Sequence, residues 1–401
     1  MTKSAVLGLA ETLLPELVAL RRALHQVPEI GLDLPKTQKL LLDALEGLGL
    51  EITVGRELNS IVAVLRGEKE GPGRVVLLRG DMDALPVTED SGVDYSSTHE
   101  GAMHACGHDL HSAGLVGAAK ILSAMRKEIA GDVIFMFQPG EEDPGGALPM
   151  INEGLLEAAG RPIDAAYSVH VHTQGLPFGV FRSMPGTICA HCDEFSVRVK
   201  GAGGHASAPA RCKDPLPAAC EMVLALQAQI TRSFNIFDPL VLTVGRFIGG
   251  SKDNVIPEVV EFGGTIRSFS ESTRSLIAEI VPRVVRGIAD AHGLEVEIDY
   301  VPGYPGCVND PNEFEFAKDV VTDLFGAENF IQSTTPAGSG DDFAYVMQHA
   351  PSAYFGVGAA LGDHEKAAPG HSPQVVFDDA ILERTSAFLA ELALRHSRET
   401  A

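Results

Sequence analysis

A thiol and an imidazole stand one residue apart in Met103-His104-Ala105-Cys106-Gly107-His108-Asp109-Leu110-His111. The acidic turn Gly80-Asp81-Met82-Asp83 precedes them, Gln138-Pro139-Gly140-Glu141-Glu142 follows, and His170 comes later. Cysteine, histidine and glutamate are the side chains that bind zinc and its neighbours in the first transition row. Three such clusters point to a metal centre, and the adjacent glutamates point to a catalytic one. A lone histidine or cysteine is ordinarily packed or solvated. Here eight of the 14 histidines lie between His99 and His205, beside glycines and where apolar runs end.

Spacing suggests how the work divides. In an extended or looping segment, residues i and i+2 point the same way. The Cys106 thiolate could then bridge two metals while His108 binds one, and Glu142 and His170 would add ligands. Thiolate makes zinc the default, with manganese or cobalt open, because ligand type alone does not select the metal. Adjacent Glu141 and Glu142 diverge in an extended segment, which suggests one ligand and one general base acting on a metal-activated water. The bland alternative is a solvated acidic loop before Asp143-Pro144. Asp81 and Asp83 follow a strand. Such a carboxylate can fix a ligand imidazole, or the pair can cap the following turn.

His371, on the constrained turn Pro369-Gly370-His371-Ser372-Pro373, is a candidate last ligand, with His364 its rival. His205 lies in the glycine-rich loop Gly203-Gly204-His205-Ala206-Ser207-Ala208-Pro209. A loop of this kind can carry a donor over a substrate carbonyl, while Pro209 breaks the helix that a phosphate loop requires. Asn254 and Arg267 stand at strand ends, where a guanidinium can bind a carboxylate bidentately.

The elements that must hold these residues follow from periodicity. Helices are expected over 7–25, 36–50, 112–125 and 147–158. They alternate with strand-like runs Ile61–Leu65, Val75–Leu78, Val133–Phe137 and Ala165–Val171. Alternation of this kind predicts an α/β fold, a sheet flanked by helices, with the candidate ligands gathered at strand ends. After Pro185-Gly186 the texture changes to β-α-β-β-α-β, with helices about 215–232 and 271–292. That order predicts an inserted ferredoxin-like α+β unit over 187–302. The catalytic domain then comprises 1–186 and 303–401, ending in a helix about 378–396.

At 401 residues the chain exceeds one simple core. A net charge of −23 argues against nucleic acid or an anionic membrane as partner. Six scattered cysteines make no disulfide framework, so reduced cytoplasmic thiols are expected. Cys189-Ala190-His191-Cys192 is half a zinc knuckle without a second pair. The leucines at 9, 13, 17, 20 and 24 mark an amphipathic helix rather than a secretory segment. No apolar run approaches the roughly 18 residues that span a bilayer.

Together the motifs resemble the co-catalytic metallopeptidase family that holds bacterial aminoacylases, hippurate hydrolase, indole-acetyl-amino-acid hydrolases and thermostable aminoacylase-type carboxypeptidases. The resemblance runs nearly end to end. It covers Arg21-Arg22-Ala23-Leu24-His25-Gln26-Val27-Pro28-Glu29, Gly80 to Pro86, Met103 to His111, Gln138 to Glu142 and Gly203 to Pro209. Asp253 to Pro257, Gly264 to Arg267 and Gly370 to Pro373 complete it. It implies that Cys106, His108, Glu142, His170 and His371 hold one or two divalent ions and that Glu141 is the general base. It also implies that His205 is a lid histidine holding the scissile carbonyl, and that Asn254 and Arg267 lie near the substrate carboxylate. We group Asp83 with Glu141 and His205 as the catalytic set. The implied activity is hydrolysis of N-acyl amino acids to a carboxylic acid and a free amino acid, by a homodimer joined through the insert.

Two departures bear on the pocket wall and not on the ligands. Asp341, in Gly340-Asp341-Asp342-Phe343, stands where the family usually has glutamate, and Asp143-Pro144 replaces a glycine-rich loop. Competing readings are a dipeptidase or carbamoyl-amide hydrolase on the same site, and a metal-independent thiol hydrolase using Cys106. A binding protein on a degenerate hydrolase fold is the third. The full ligand set speaks against that last one.

Overall fold

The computed structural model describes residues 5–397, which divide into two compact units. One comprises the chain up to Ile188 with Val308–Thr335 and Asp341 onward. The other comprises Cys189–Cys307 and Pro336–Gly340.

In the first unit, short apolar runs form an eight-stranded mixed sheet. Its order is Glu51–Val54, Ile61–Arg66, Gly131–Gln138, Arg74–Asp81, Ala165–His172, Ser352–Gly358, Phe181–Ser183 and Phe330–Gln332. The four strands from Gly131–Gln138 to Ser352–Gly358 run parallel and are buried along most of their length. Such burial is what strands covered on both faces require. Asp81 pairs in register with Gln138. The carboxyl ends that carry the candidate ligands therefore lie side by side.

Helices Ala5–His25, His108–Ala124 and Ile381–His396 pack together over this sheet. Approach is close because the middle helix offers small residues. A Cβ on Gly117 would stand 2.1 Å from the Ser386 hydroxyl and 2.7 Å from a Leu17 methyl. Leu17, Leu24, Leu115 and Phe388 are buried in this layer, each such side chain stabilising by about 1.5–3 kcal/mol.

Helix ends depart from the periodicity. The helix expected over 36–50 spans Pro35–Leu45 and stops before Gly47 and Gly49, both at positive φ. The one expected over 147–158 is α-helical only over Ala147–Asn152. Gly154, in the left-handed region, breaks it, and a single 3-10 turn, Leu155–Glu157, follows. The helix expected from Ser112 begins at His108.

The second unit has strands His191–Lys200, Leu240–Gly249, Val259–Ser268 and Glu295–Pro302, with helices Pro215–Ser233 and Glu271–His292. The sheet order is second, third, first, fourth, all antiparallel, which is the ferredoxin-like arrangement. Alternation along the first strand buries Phe195, Val197 and Val199 with Met222, Leu226, Ile277, Val281 and Val285 of the helices. Asp214 and Ser270 cap the two helices by accepting the Leu216 and Thr273 N–H groups. Strand Leu240–Gly249 is a sheet edge and exposes Val241, Phe247 and Ile248. Before it, Ile236 and Phe237 are 82% and 87% exposed. Among the described residues, no helix is long and apolar enough to cross a membrane.

Candidate metal centre

Gly107 turns the ligand segment. Its φ is 87°, and a Cβ there would stand 2.4 Å from Val171 Cγ2, so glycine is required. Cys106 precedes this turn and His108 opens the helix after it. A left-handed turn, and not an extended i, i+2 pair, therefore brings the two side chains together. Cys106 Sγ is 3.3 Å from His170 Nε2. Ligand-type atoms of Cys106, His108 and His170 all lie within 4.8 Å of one another, and so do those of Cys106, Glu142 and His371. The sulphur is common to both groups. His364 belongs to neither.

Two of the three candidate imidazoles, those of His108 and His170, are aimed by a hydrogen bond on Nδ1. His108 Nδ1 lies 3.3 Å from Asp83 Oδ1. Asp83 also accepts the N–H groups of Glu141 and Glu142, at 3.0 and 3.1 Å. One buried carboxylate thus fixes both a candidate ligand and the glutamate turn. His170 Nδ1 donates to the Val171 carbonyl at 2.7 Å, leaving Nε2 toward the sulphur. His371 Nε2 is 3.1 Å from Glu142 Oε1. His371 is the one non-glycine at positive φ (67°) among the described residues, and its N–H is bonded to the Ala105 carbonyl at 2.9 Å.

Glu141 and Glu142 sit in a turn, and both face His108 Nε2, at 3.9 and 4.0 Å. They do not diverge as extended spacing predicts. Their surroundings separate them instead. Burial, with Asp341 and Asp342 close by, holds the Glu141 carboxyl well above the usual range against the pull of His108. Burial opposes the charge of Glu142 too, but His371 and His108 outweigh it and keep that carboxylate below its ordinary value. A carboxyl of raised proton affinity beside one of lowered proton affinity is the division that base and ligand require.

The residues fit divalent cations. His108 Nε2 is buried without a hydrogen-bond partner, a condition costing about 1–3 kcal/mol. Burial pushes the Cys106 thiol up to about 12, so it ionises where a cation takes its proton's place. The set of sulphur, imidazole and carboxylate donors suits zinc and its neighbours.

The insert carries the other candidates. His205 pairs with Val255 in the two-residue ladder Gly204–His205 and Val255–Ile256, and Ala206 N–H bonds the Asn254 carbonyl at 3.1 Å. His205 and Asn254 are thereby neighbours. His205 Nδ1 accepts the Ser207 N–H at 3.1 Å, which puts the proton of the neutral ring on exposed Nε2. Arg267 lies elsewhere, on the four-stranded sheet opposite Cys192, and donates to the Ile266 carbonyl at 3.1 Å.

The family model for peptidase family M20/M25/M40 matches residues 77–395. The chain belongs to that family. It is 35% identical over 387 residues to thermostable carboxypeptidase 2 of Saccharolobus solfataricus, with 96% of each covered. It is 33% identical over 384 residues to hippurate hydrolase of Campylobacter jejuni, covering 95% of this chain and 96% of the relative. Among solved structures, a Bacillus subtilis dinuclear metal-binding peptidase of the M20 family superposes with a TM-score of 0.82 at 29% identity. That match covers 96% of this chain and 98% of the other. This M20 chain is accordingly a hydrolase of amide bonds with the dinuclear metallopeptidase fold.

Residue types alone missed part of the M20 site. His111 Nδ1 is 2.6 Å from Asp81 Oδ1, and its Nε2 accepts the Val171 N–H at 2.9 Å. Both ring nitrogens are used, so His111 positions the His170 strand. Arg79 donates to Asp81 at 2.6 Å, Asp341 at 3.1 Å, Asp342 at 3.3 Å and Gln138 at 3.0 Å. Burial and Asp341 raise Asp342 to about 7 against the pull of Arg79. The available signal was Arg79 itself, a charge closing the apolar run Val75–Leu78.

Acid should loosen the M20 fold through His104. Neither ring nitrogen is hydrogen-bonded, and burial drives its pKa down to about 3. The unfolded chain protonates it near 6.5. Its contribution is therefore complete above about pH 6.5 and is lost as pH falls toward 3. In metal-stripped protein, urea unfolding should show stability falling between pH 7 and 5. His104→Leu should flatten that slope by up to about 1.4 kcal/mol per pH unit. An unchanged slope would refute the neutral assignment.

Proposed function

We propose that the chain hydrolyses the amide bond of N-acyl amino acids, releasing a carboxylic acid and a free amino acid. The observation that carries this is the pair of ligand groups sharing Cys106, set beside a buried glutamate whose proton affinity is raised. Likeness to a hippurate hydrolase supports the substrate class, since hippurate is an N-acyl glycine. When bound, one or two divalent ions, zinc by default and manganese or cobalt as alternatives, would polarise the carbonyl and acidify the attacking water. Cys106, His108, Glu142, His170 and His371 would hold them. Glu141 takes the water's proton and delivers it to the leaving amine, while Asp83 keeps His108 and the glutamate turn in place.

A thiol raised to about 12 is a poor nucleophile, which disfavours the metal-independent alternative. The test is release of free amino acid from N-acetyl, N-benzoyl and long-chain N-acyl amino acids, with zinc, manganese or cobalt added. Dipeptides and carbamoyl amino acids complete the panel. Turnover confined to either of those would replace the acyl reading, and full activity after chelation would end it.

His205 and Arg267 have separable roles in this reading. Exposed Nε2–H of His205 is a donor for the carbonyl oxygen as charge develops. His205→Ala should lower kcat roughly 10²–10³-fold if it resembles one oxyanion donor, with metal content unchanged. Arg267, with Asn254 in support, takes the substrate carboxylate, so Arg267→Ala should mainly raise KM. Comparing an N-acyl amino acid with its amide-blocked analogue separates the two: Arg267→Ala should lose the preference for the free acid. Wild-type kinetics in both variants would leave the insert without a catalytic part.

The exposed edge strand Leu240–Gly249, with Val241, Phe247, Ile248, Ile236 and Phe237, supports a homodimer through the insert. Six free cysteines support a cytoplasmic setting.

A further inference from the structure

The polar end of the first helix takes no part in the chemistry above, yet it is among the most buried charge in the unit. Arg21 and His25, one turn apart, face inward and are 1% and 3% exposed. Arg21 Nε lies 2.8 Å from Asp109 Oδ2, and its Nη1 donates to Asp379 Oδ1 at 3.1 Å. His25 Nδ1 is 2.6 Å from the same Asp109 oxygen, and its Nε2 is 3.2 Å from Glu89 Oε1. Arg22 reaches the second oxygen of Asp379 at 2.8 Å. The Tyr95 ring lies under both guanidinium groups, at 5.0 and 4.5 Å, and edge-on to His25 at 5.4 Å. Burial works against charge on His25, but Asp109 and Glu89 raise its pKa above the ordinary value. With His25 protonated, three cations meet three carboxylates.

Those carboxylates come from three separate segments. Asp109 directly follows His108. Asp379 closes the stretch that begins at His371. Glu89 belongs to the loop whose Asp90 N–H bonds the Pro373 carbonyl at 2.8 Å. Buried ion pairs are a weak way to gain stability, because desolvation cancels most of the attraction and apolar packing does as well or better. Their directionality is what apolar side chains lack.

We infer that Arg21 and His25 form a positioning clamp that sets the Cys106–His108 segment against the His371 turn, so that ligands from distant parts of the chain meet at one centre. The inference rests on reading Cys106, His108 and His371 as ligands. Neither Arg21 nor His25 belongs to the candidate ligand groups. They act through Asp109 and Asp379.

The test is metal binding by the full-length protein, with activity left aside. Arg21→Lys keeps the charge but cannot span both carboxylates. His25→Gln keeps a donor toward Asp109 and loses the second bond. Zinc affinity is read by competition with a chromophoric chelator, the cobalt-loaded protein is read by its thiolate charge-transfer band, and the metal-free protein by thermal unfolding. Both variants should bind zinc about 10–100-fold more weakly, as loss of outer partners of a metal site does. The cobalt band should shift, and the metal-free variants, though less stable for the broken buried pairs, should remain folded at the assay temperature. Arg22→Ala, which loses only the outer oxygen of Asp379 and the Tyr95 ring and leaves Asp109 and Glu89 untouched, should match wild type in affinity and spectrum. Unchanged affinity and spectrum in Arg21→Lys and His25→Gln overturn the clamp. So does a fall in affinity matched by unfolding of the metal-free variants, which would make the cluster a stability element. If wild type itself binds neither zinc nor cobalt, the ligand reading fails instead, and the two failures are distinguishable.

Discussion

Replacing Glu141 with glutamine should leave the metal in place and remove most of the turnover. The side chain is buried, and its carboxyl is held well above the usual range by that burial and by Asp341. A carboxylate with raised proton affinity is a strong base toward a water a few ångströms away. The amide of glutamine fills nearly the same volume but accepts no proton, and losing a general base typically costs about 10²–10⁴-fold. Glu142, paired with His371 and kept ionised, remains to hold the ions. Elemental analysis beside steady-state kinetics checks the expectation. Retained turnover would exclude Glu141 as the base, and loss of metal with activity would make it a ligand.

Cys106→Ser should act in the opposite way, on the metal first. The sulphur is common to both ligand groups, so its loss weakens both positions at once. A neutral hydroxyl is a far poorer ligand than a thiolate. Affinity should fall by more than the roughly 10–100-fold that outer partners of a metal site are worth. Because burial holds the free thiol near 12, cation capture must expel its proton, and wild-type affinity should rise with pH over a range where the variant's changes less. Chelator competition at several pH values checks both statements. Full metal content in Cys106→Ser, with altered chemistry alone, would revive the thiol-nucleophile reading.

The candidate ligands were legible because their chemistry is carried by residue type. Cys106, His108, Glu142, His170 and His371 stand out in any reading that asks which side chains bind a transition metal. The parallel strands were legible as apolar runs, and the insert as a change of texture after Pro185-Gly186. What stayed hidden depends on backbone geometry or on distant pairing. The turn at Glu141–Glu142 and the left-handed Gly107 aim side chains in ways that extended spacing does not foresee. The strand Gly131–Gln138 enters the sheet beside Arg74–Asp81 on its far side from Ala165–His172, and no local pattern encodes that order. Strands Phe181–Ser183 and Phe330–Gln332 are too short to show periodicity. Roles such as those of His111 and Arg79 appear only once the partners of every ring nitrogen and guanidinium nitrogen are known.

The backbone at His371 has a consequence for how this protein would change under selection. A histidine at φ 67° sits where a side chain costs about 1–3 kcal/mol and glycine costs nothing of the kind. On the ligand reading, His371→Gly would therefore relax the main chain while discarding a candidate ligand imidazole. At this position thermal robustness and catalysis pull in opposite directions. A screen for heat resistance alone would drift toward the glycine and accumulate proteins that melt later and turn over nothing. A screen that also demands product would hold the strained histidine in place.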